Sequence, residues 1–274
     1  MTQPATPPKS KGTLGKRLLV ALVLIPFALF VVWAGGWWLA AACVGAAIIL
    51  GAEWSIMGSM RGPYFIAIAA AAPLIAYMTM GLRPALVALW IGAIALAIIQ
   101  QRQRDKPLDA LLGVLYTGSL PLGLLVLREG EWNGLAASLM LMGMVWASDS
   151  GAYFAGRFFR GPLLSPKYSP NKTWSGAIGG VIATSLCGLI AANIVEVSVF
   201  RWMIFAALLS VVCQYGDMVE SRVKREFNTK DASKLLPGHG GLMDRVDGLG
   251  AVCVVASSLF IIFPSFARYM GLGG

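Results

Sequence analysis

Charge is scarce in this chain. Asp, Glu, Lys and Arg make up 13% of its 274 residues, against roughly a quarter in a soluble globular domain. Hydrophobic residues make up 57%, and the mean hydropathy is +0.72. A water-soluble fold is excluded on that ground. Histidine occurs once, and the 4 cysteines, Cys43, Cys187, Cys213 and Cys253, stand singly in apolar segments. No CxxC is present, and one imidazole does not make a thiolate–imidazole metal site. The cysteines read as small buried hydrophobes. No repeat of solenoid type is visible.

What the chain has in quantity is long apolar runs. An apolar run of about 20 residues crosses the hydrocarbon core as a helix. The expected fold is therefore all-α, a polytopic integral membrane protein with about nine transmembrane helices. They fall at roughly 18–34, 37–56, 63–80, 84–100, 107–127, 134–154, 175–195, 201–219 and 249–267, each near the length a span needs. Residues 1–13 read as a disordered polar tail. The first run is too long for a signal-peptide core and is read as an uncleaved span. Segment 14–133 then holds about five spans, and segment 134–274 a catalytic region of about four.

The basic residues test that map. The net charge is +9, from 22 Lys and Arg against 13 Asp and Glu. With the N-terminus in the cytoplasm, only Arg83, Arg128, Arg201 and Arg268 fall outside, which leaves 18 of the 22 inside. Cytoplasmic segments collect Lys and Arg in this way. The excess is thus topological, and nucleic acid is not an expected partner. Two inside segments, 155–174 and 220–248, are longer than a turn requires. From Arg201 to Phe227 only Gly216 interrupts helical character. A helix of that length spans about 40 Å, more than the hydrocarbon core of about 30 Å. Its last turns should protrude at the inner face.

Asp217, Ser221 and Lys224 fall at i, i+4 and i+7 of that helix and share one face. An acid and a hydroxyl suit a hard cation, and a lysine suits a phosphate. The same spacing suits a solvated helix end with an ion pair. Residues 234–248 read KLLPGHGGLMDRVDG. Glycines there permit positive φ and close backbone approach to an anion. His239 suits a turn histidine or a phosphate contact. Asp244 and Asp247 follow at i and i+3, with Arg245 between them. Mg²⁺ takes one or two carboxylates together with phosphate oxygens and water. Asp217 and Asp244, from two separate elements, are the expected metal ligands. Residues 149–176 add Asp149, Arg157, Arg160, Lys167, Lys172 and Thr173. An acid within an apolar run is a functional candidate. Arg160 and Lys167 read more simply as flanking charge facing anionic headgroups. Acids, bases and glycines converging at one membrane face suit phosphoryl or nucleotidyl transfer, where catalysis is positioning and charge neutralisation.

These residues resemble the phosphatidate cytidylyltransferases, or CDP-diacylglycerol synthases. Ser221, Lys224-Arg225, Lys230-Asp231, Pro237, His239-Gly240-Gly241, Asp244-Arg245 and Asp247 fill every position of that family's hallmark. Upstream, Asp149, Gly151-Ala152-Tyr153-Phe154, Gly156-Arg157, Ser169-Pro170, Lys172-Thr173-Trp174 and Gly176 resemble it too. The motifs cover 149–248 and the hydropathy most of the chain. Ser175 departs from the pattern, because the family usually has glutamate there, so no role for an acid at that position carries over.

The resemblance implies Mg²⁺-dependent conversion of CTP and phosphatidate to CDP-diacylglycerol and pyrophosphate in phospholipid biosynthesis. It implies catalysis at the cytoplasmic face of the inner, or plasma, membrane. Asp217, Asp244, Ser221 and Lys224 become the catalytic candidates. Lys172, Thr173, Arg157, Arg225, His239, Gly240, Gly241, Arg245, Asp149 and Asp247 become the substrate-binding ones. A monovalent cation such as K⁺ beside the Mg²⁺ comes from the same analogy. The partners are CTP, phosphatidate and membrane lipid, with a homodimer through the spans left open. Two other classes fit the residues less well. A transporter places its acids near mid-membrane, whereas most acids here cluster at one face. The CDP-alcohol phosphotransferases carry Asp-Gly-x-x-Ala-Arg, and Asp247-Gly248 is followed by Leu-Gly-Ala-Val.

Overall fold

The protein is described from a computed structural model, over residues 12–60, 62–194, 196–236 and 240–272. The described residues form a helical bundle with one small hairpin. In chain order the elements are α1 (Gly12–Ala34), α2 (Gly36–Met57), α3 (Pro63–Met80), α4 (Leu82–Arg102), α5 (Pro107–Glu129), α6 (Gly134–Phe159), β1 (Leu163–Ser165), β2 (Ser169–Thr173), α7 (Trp174–Ile194), α8 (Val199–Glu226), α9 (Met243–Ile262) and α10 (Pro264–Tyr269). Six of these, α2, α4, α5, α7, α8 and α9, are long and apolar enough to cross a membrane. Shorter apolar helical stretches run over Val20–Ala34 in α1 and Tyr64–Met80 in α3.

Several boundaries differ from the sequence expectation. Helix α1 opens at Gly12, so the last two residues of the expected tail are helical. Residues 1–11 lie outside the described residues. Gly35 and Gly36, between the first two helical runs, have φ of 62° and 50°. Helix α8 continues for 28 residues to Glu226, as a stretch interrupted only by Gly216 predicts. Helix α9 begins at Met243, six residues before the expected span, so Asp244 and Asp247 are helical and not in a loop. It also ends earlier, at Ile262, where α10 turns away. The segment expected as a cytoplasmic loop after α6 holds the antiparallel β1–β2 hairpin.

Packing is that of a lipid-embedded bundle. In α7, Gly176, Gly180, Thr184, Gly188 and Ala192 are buried at every fourth position. The larger Ile178, Ile182, Leu186 and Ile190 form the exposed face. Small residues inward let helix backbones approach closely, and lipid covers the bulky ones. Helix α5 lies at the centre, with Val114, Leu125 and Leu127 fully buried. On one side it packs with Leu50, Trp54, Ile66 and Met243. Toward the other end it joins a cluster around Trp202, Phe205 and Phe260.

Candidate active site

Two glycines bring the site together. A Cβ at Gly216 would lie 2.6 Å from Ala251 Cβ and 3.1 Å from the Asp247 carbonyl oxygen. A Cβ at Gly248 would lie 2.7 Å from Cys213 Sγ. Only glycine at both positions lets α8 and α9 approach so closely. Asp217 follows the first glycine and Asp247 precedes the second, so the close crossing sets the two acids side by side.

Glu220 completes the group. One carboxylate oxygen from each of Asp217, Glu220 and Asp247 lies within 4.8 Å of the others. Glu220 is almost fully buried, and among the described residues nothing donates a hydrogen bond to its Oε1. Like charges packed this tightly in a poorly hydrated site repel, and a buried acceptor without a donor is unfavourable. Hard oxygen donors from two elements fit a divalent cation such as Mg²⁺. Asp217, Glu220 and Asp247 are therefore the residues that could hold one.

Two lysines border the cluster. Lys224 Nζ lies 2.6 Å from Glu220 Oε2 and 2.5 Å from Asp244 Oδ1. Lys172, on β2, places Nζ 2.5 Å from Asp217 Oδ2. Charge-assisted contacts of this length hold both ammonium groups beside the acids. Ser221 Oγ lies 3.4 Å from Asp217 Oδ1. Asp244, expected as the second ligand, is not one of the three carboxylates that come together. Its Oδ1 faces Lys224, and its Oδ2 accepts from the backbone N–H of Gly241 at 2.7 Å and Ala232 at 3.0 Å.

The remaining candidates are spread around this centre. Thr173 caps α7, its Oγ1 accepting from Gly176 N at 3.1 Å, the position a helix N-cap serves. Ser175, at the departure from the family pattern, donates to the Arg160 carbonyl oxygen and pairs with Thr173 Oγ1. It thereby ties the end of α6 to the start of α7. Asp149 faces Cys213 Sγ at 4.0 Å. Arg157 is exposed and donates to Tyr153 Oη at 3.3 Å. Arg225 donates to the carbonyl oxygens of Tyr168 and Thr229. Arg245 is exposed on the first turn of α9. Gly240 has φ of 85°, and a Cβ there would lie 2.6 Å from Asp244 Oδ2. His239 lies outside the described residues.

Two acids, Glu220 and Glu53, lie outside the residues the sequence motifs single out. Glu220 carries a readable signal, being at i+3 from Asp217 and i−4 from Lys224 on one face. Glu53 carries another, as an acid inside the second apolar run. It is buried, and its carboxylate meets the start of α9 and Ser233.

Comparison with known proteins gives the family. The pattern of the cytidylyltransferase family matches residues 15–263. The chain belongs to that family. It is 37% identical over 258 residues to the phosphatidate cytidylyltransferase of Brucella suis biovar 1 (strain 1330), covering 92% of this chain and 93% of the relative. The phosphatidate cytidylyltransferase of Thermotoga maritima is 41% identical over 142 residues, 49% of this chain and 53% of that protein. That of Haemophilus influenzae is 36% identical over 179 residues, or 59% and 62%. Membership of the cytidylyltransferase family makes the chain a nucleotidyltransferase enzyme.

Proposed function

We propose that this cytidylyltransferase makes CDP-diacylglycerol from CTP and phosphatidate at the inner face of the bacterial membrane. The observation that carries the site assignment is the carboxylate group of Asp217, Glu220 and Asp247, flanked by Lys172 and Lys224. Together these supply oxygens for a divalent cation and positive charge for phosphates. A phosphatidate phosphate oxygen forms a bond to the α-phosphorus of CTP. The bond from that phosphorus to the β-bridging oxygen breaks, and pyrophosphate leaves with the electron pair. Phosphatidate is already an anion, so no strong general base is required.

A divalent cation held by Asp217, Glu220 and Asp247 would supply neutralisation of the triphosphate. Lys224 and Lys172 orient phosphate oxygens from the two sides of the cluster. Arg245, Arg157 and Arg225 add charge at the rim. Ser221 holds Asp217. Asp244 anchors Lys224 and the backbone at Ala232 and Gly241; its Oδ2 already takes two N–H groups, and Oδ1 keeps a second lone pair through which it stays a candidate ligand. A monovalent cation beside Mg²⁺ belongs to the same proposal.

We also propose that all nine long helices cross the bilayer, with the N-terminus in the cytoplasm. The weighting of Lys and Arg toward one set of connections supports that orientation. Labelling of a single cysteine at Thr229, in a background without the native cysteines, tests it. The reaction itself is tested with CTP radiolabelled at the α-phosphate. Label should enter the lipid fraction only with phosphatidate present. Label that stays in the aqueous phase with active, folded protein rejects the assignment.

A further inference from the structure

Glu53 stands apart from every motif of the site. It belongs to α2, near the inner end, and is only 3% exposed. Among the described residues no lysine or arginine pairs with its carboxylate. Its partners are instead three donors from the far end of the sequence. Oε1 accepts from Ser233 Oγ at 2.6 Å and from Leu242 N at 2.8 Å. Oε2 accepts from Met243 N at 2.8 Å. Helix α9 has no side-chain cap from its own N-cap residue, Leu242. The first N–H groups of a helix need acceptors, and a carboxylate there also meets the positive end of the helix dipole. Glu53 provides that acceptor from 190 residues away.

The glycine pair of the hallmark gains a physical reason from the same contacts. A Cβ at Gly241 would lie 2.6 Å from Glu53 Oε1. A Cβ at Gly240 would lie 2.6 Å from Asp244 Oδ2. Each glycine thus faces one carboxylate. Asp244 grips the turn from within α9, and Glu53 grips it from α2. Between them they fix the start of α9, which carries Asp244, Arg245 and Asp247.

We propose that Glu53 is a positioning residue for cytidylyl transfer. It seats the N-terminus of α9 so that Asp247 meets Asp217 and Glu220, and Asp244 meets Lys224. The inference rests on the cytidylyl-transfer reading above. It makes the N-terminal helices part of the catalytic apparatus and not only a membrane anchor.

The test uses purified full-length protein carrying Glu53→Gln, read in two ways. Backbone hydrogen exchange over 240–243 reports the cap. Label transfer from CTP to phosphatidate, titrated with Mg²⁺, reports the site. The amide side chain replaces one acceptor oxygen by a donor, so exchange there should quicken at least tenfold. The rate should fall at least tenfold, and half-maximal Mg²⁺ should rise. Unchanged exchange overturns the inference. Quickened exchange with a rate and Mg²⁺ dependence within twofold of wild type also overturns it, since Glu53 is then a structural cap only. Should Glu53→Gln fail to fold, Gly241→Ala decides, because its methyl presses on an intact Glu53. A tenfold loss of rate supports the inference, and a rate within twofold of wild type overturns it. A wild-type protein that transfers no label would instead reject the functional reading.

Discussion

Lys224 Nζ lies 2.5 Å from Asp244 Oδ1, joining the end of α8 to the first turn of α9. The same ammonium group lies 2.6 Å from Glu220 Oε2. One lysine therefore links the acid cluster to the glycine turn. The three side chains are 12%, 1% and 8% exposed, so water screens them little.

Removing that lysine leaves buried carboxylates without their cation. Breaking such a pair from one side costs about 3–5 kcal/mol. Lys224→Ala should therefore lose both activity and several degrees of thermal stability in detergent. Lys224→Arg, which keeps the charge but not the compact geometry, should recover stability more than activity. A melting scan beside the label-transfer assay checks both.

Asp217→Asn should cut the rate by about 100-fold or more, the scale seen when a preorganised electrostatic contact at a reacting centre is lost. The protein should remain folded, because Asp217 is half-exposed and its side chain contacts Lys172 and Ser221. Asp244→Asn should lose activity as well, but with a fall in stability, since its carboxylate holds Lys224 and two backbone N–H groups. Comparing melting temperatures of the two variants separates a site residue from an anchor.

Much of this arrangement is legible in the residues alone, and the division has physical causes. Apolar runs reveal helices because lipid demands them. The length of α8 follows from a stretch between Arg201 and its end that only Gly216 interrupts. The i, i+4, i+7 spacing places Asp217, Ser221 and Lys224 on one face. What depends on contacts between distant segments is hidden. Asp244 and Asp247 sit among glycines and charges and read as loop, yet they are helical, with a carboxylate on α2 accepting from the first N–H groups of α9. Thr173, a substrate-contact candidate by resemblance, also caps α7 with its hydroxyl. The pairing of Asp217 with Glu220 and Asp247 depends on how closely α8 crosses α9.

That crossing depends on Gly216. Gly216→Ala pushes a methyl against Ala251 and the Asp247 carbonyl oxygen. Overpacking of this kind costs about 1–3 kcal/mol. Activity should fall more steeply than stability, because the separation of Asp217 from Asp247 changes directly. Rate and melting temperature measured on the same preparation show whether it does.

Lys167 offers a contrast. It is exposed, with its ammonium 5.2 Å from the Tyr168 ring centroid. Lys167→Ala should leave the rate within about twofold of wild type, since an exposed cation–π contact is worth about 0.5–1 kcal/mol. A complete loss of label transfer would place this lysine in the site.

The central claim is that Asp217, Glu220 and Asp247 together hold the divalent cation used in cytidylyl transfer. Its most direct test is label transfer from CTP to phosphatidate as a function of Mg²⁺ concentration, for wild type and for Glu220→Gln. The account predicts no transfer with a chelator present, and a Mg²⁺ requirement raised at least tenfold in the variant, since loss of even an outer-shell partner weakens a metal site by about 10–100-fold. Transfer that persists without divalent cation, or a variant curve superimposed on that of wild type, would contradict it.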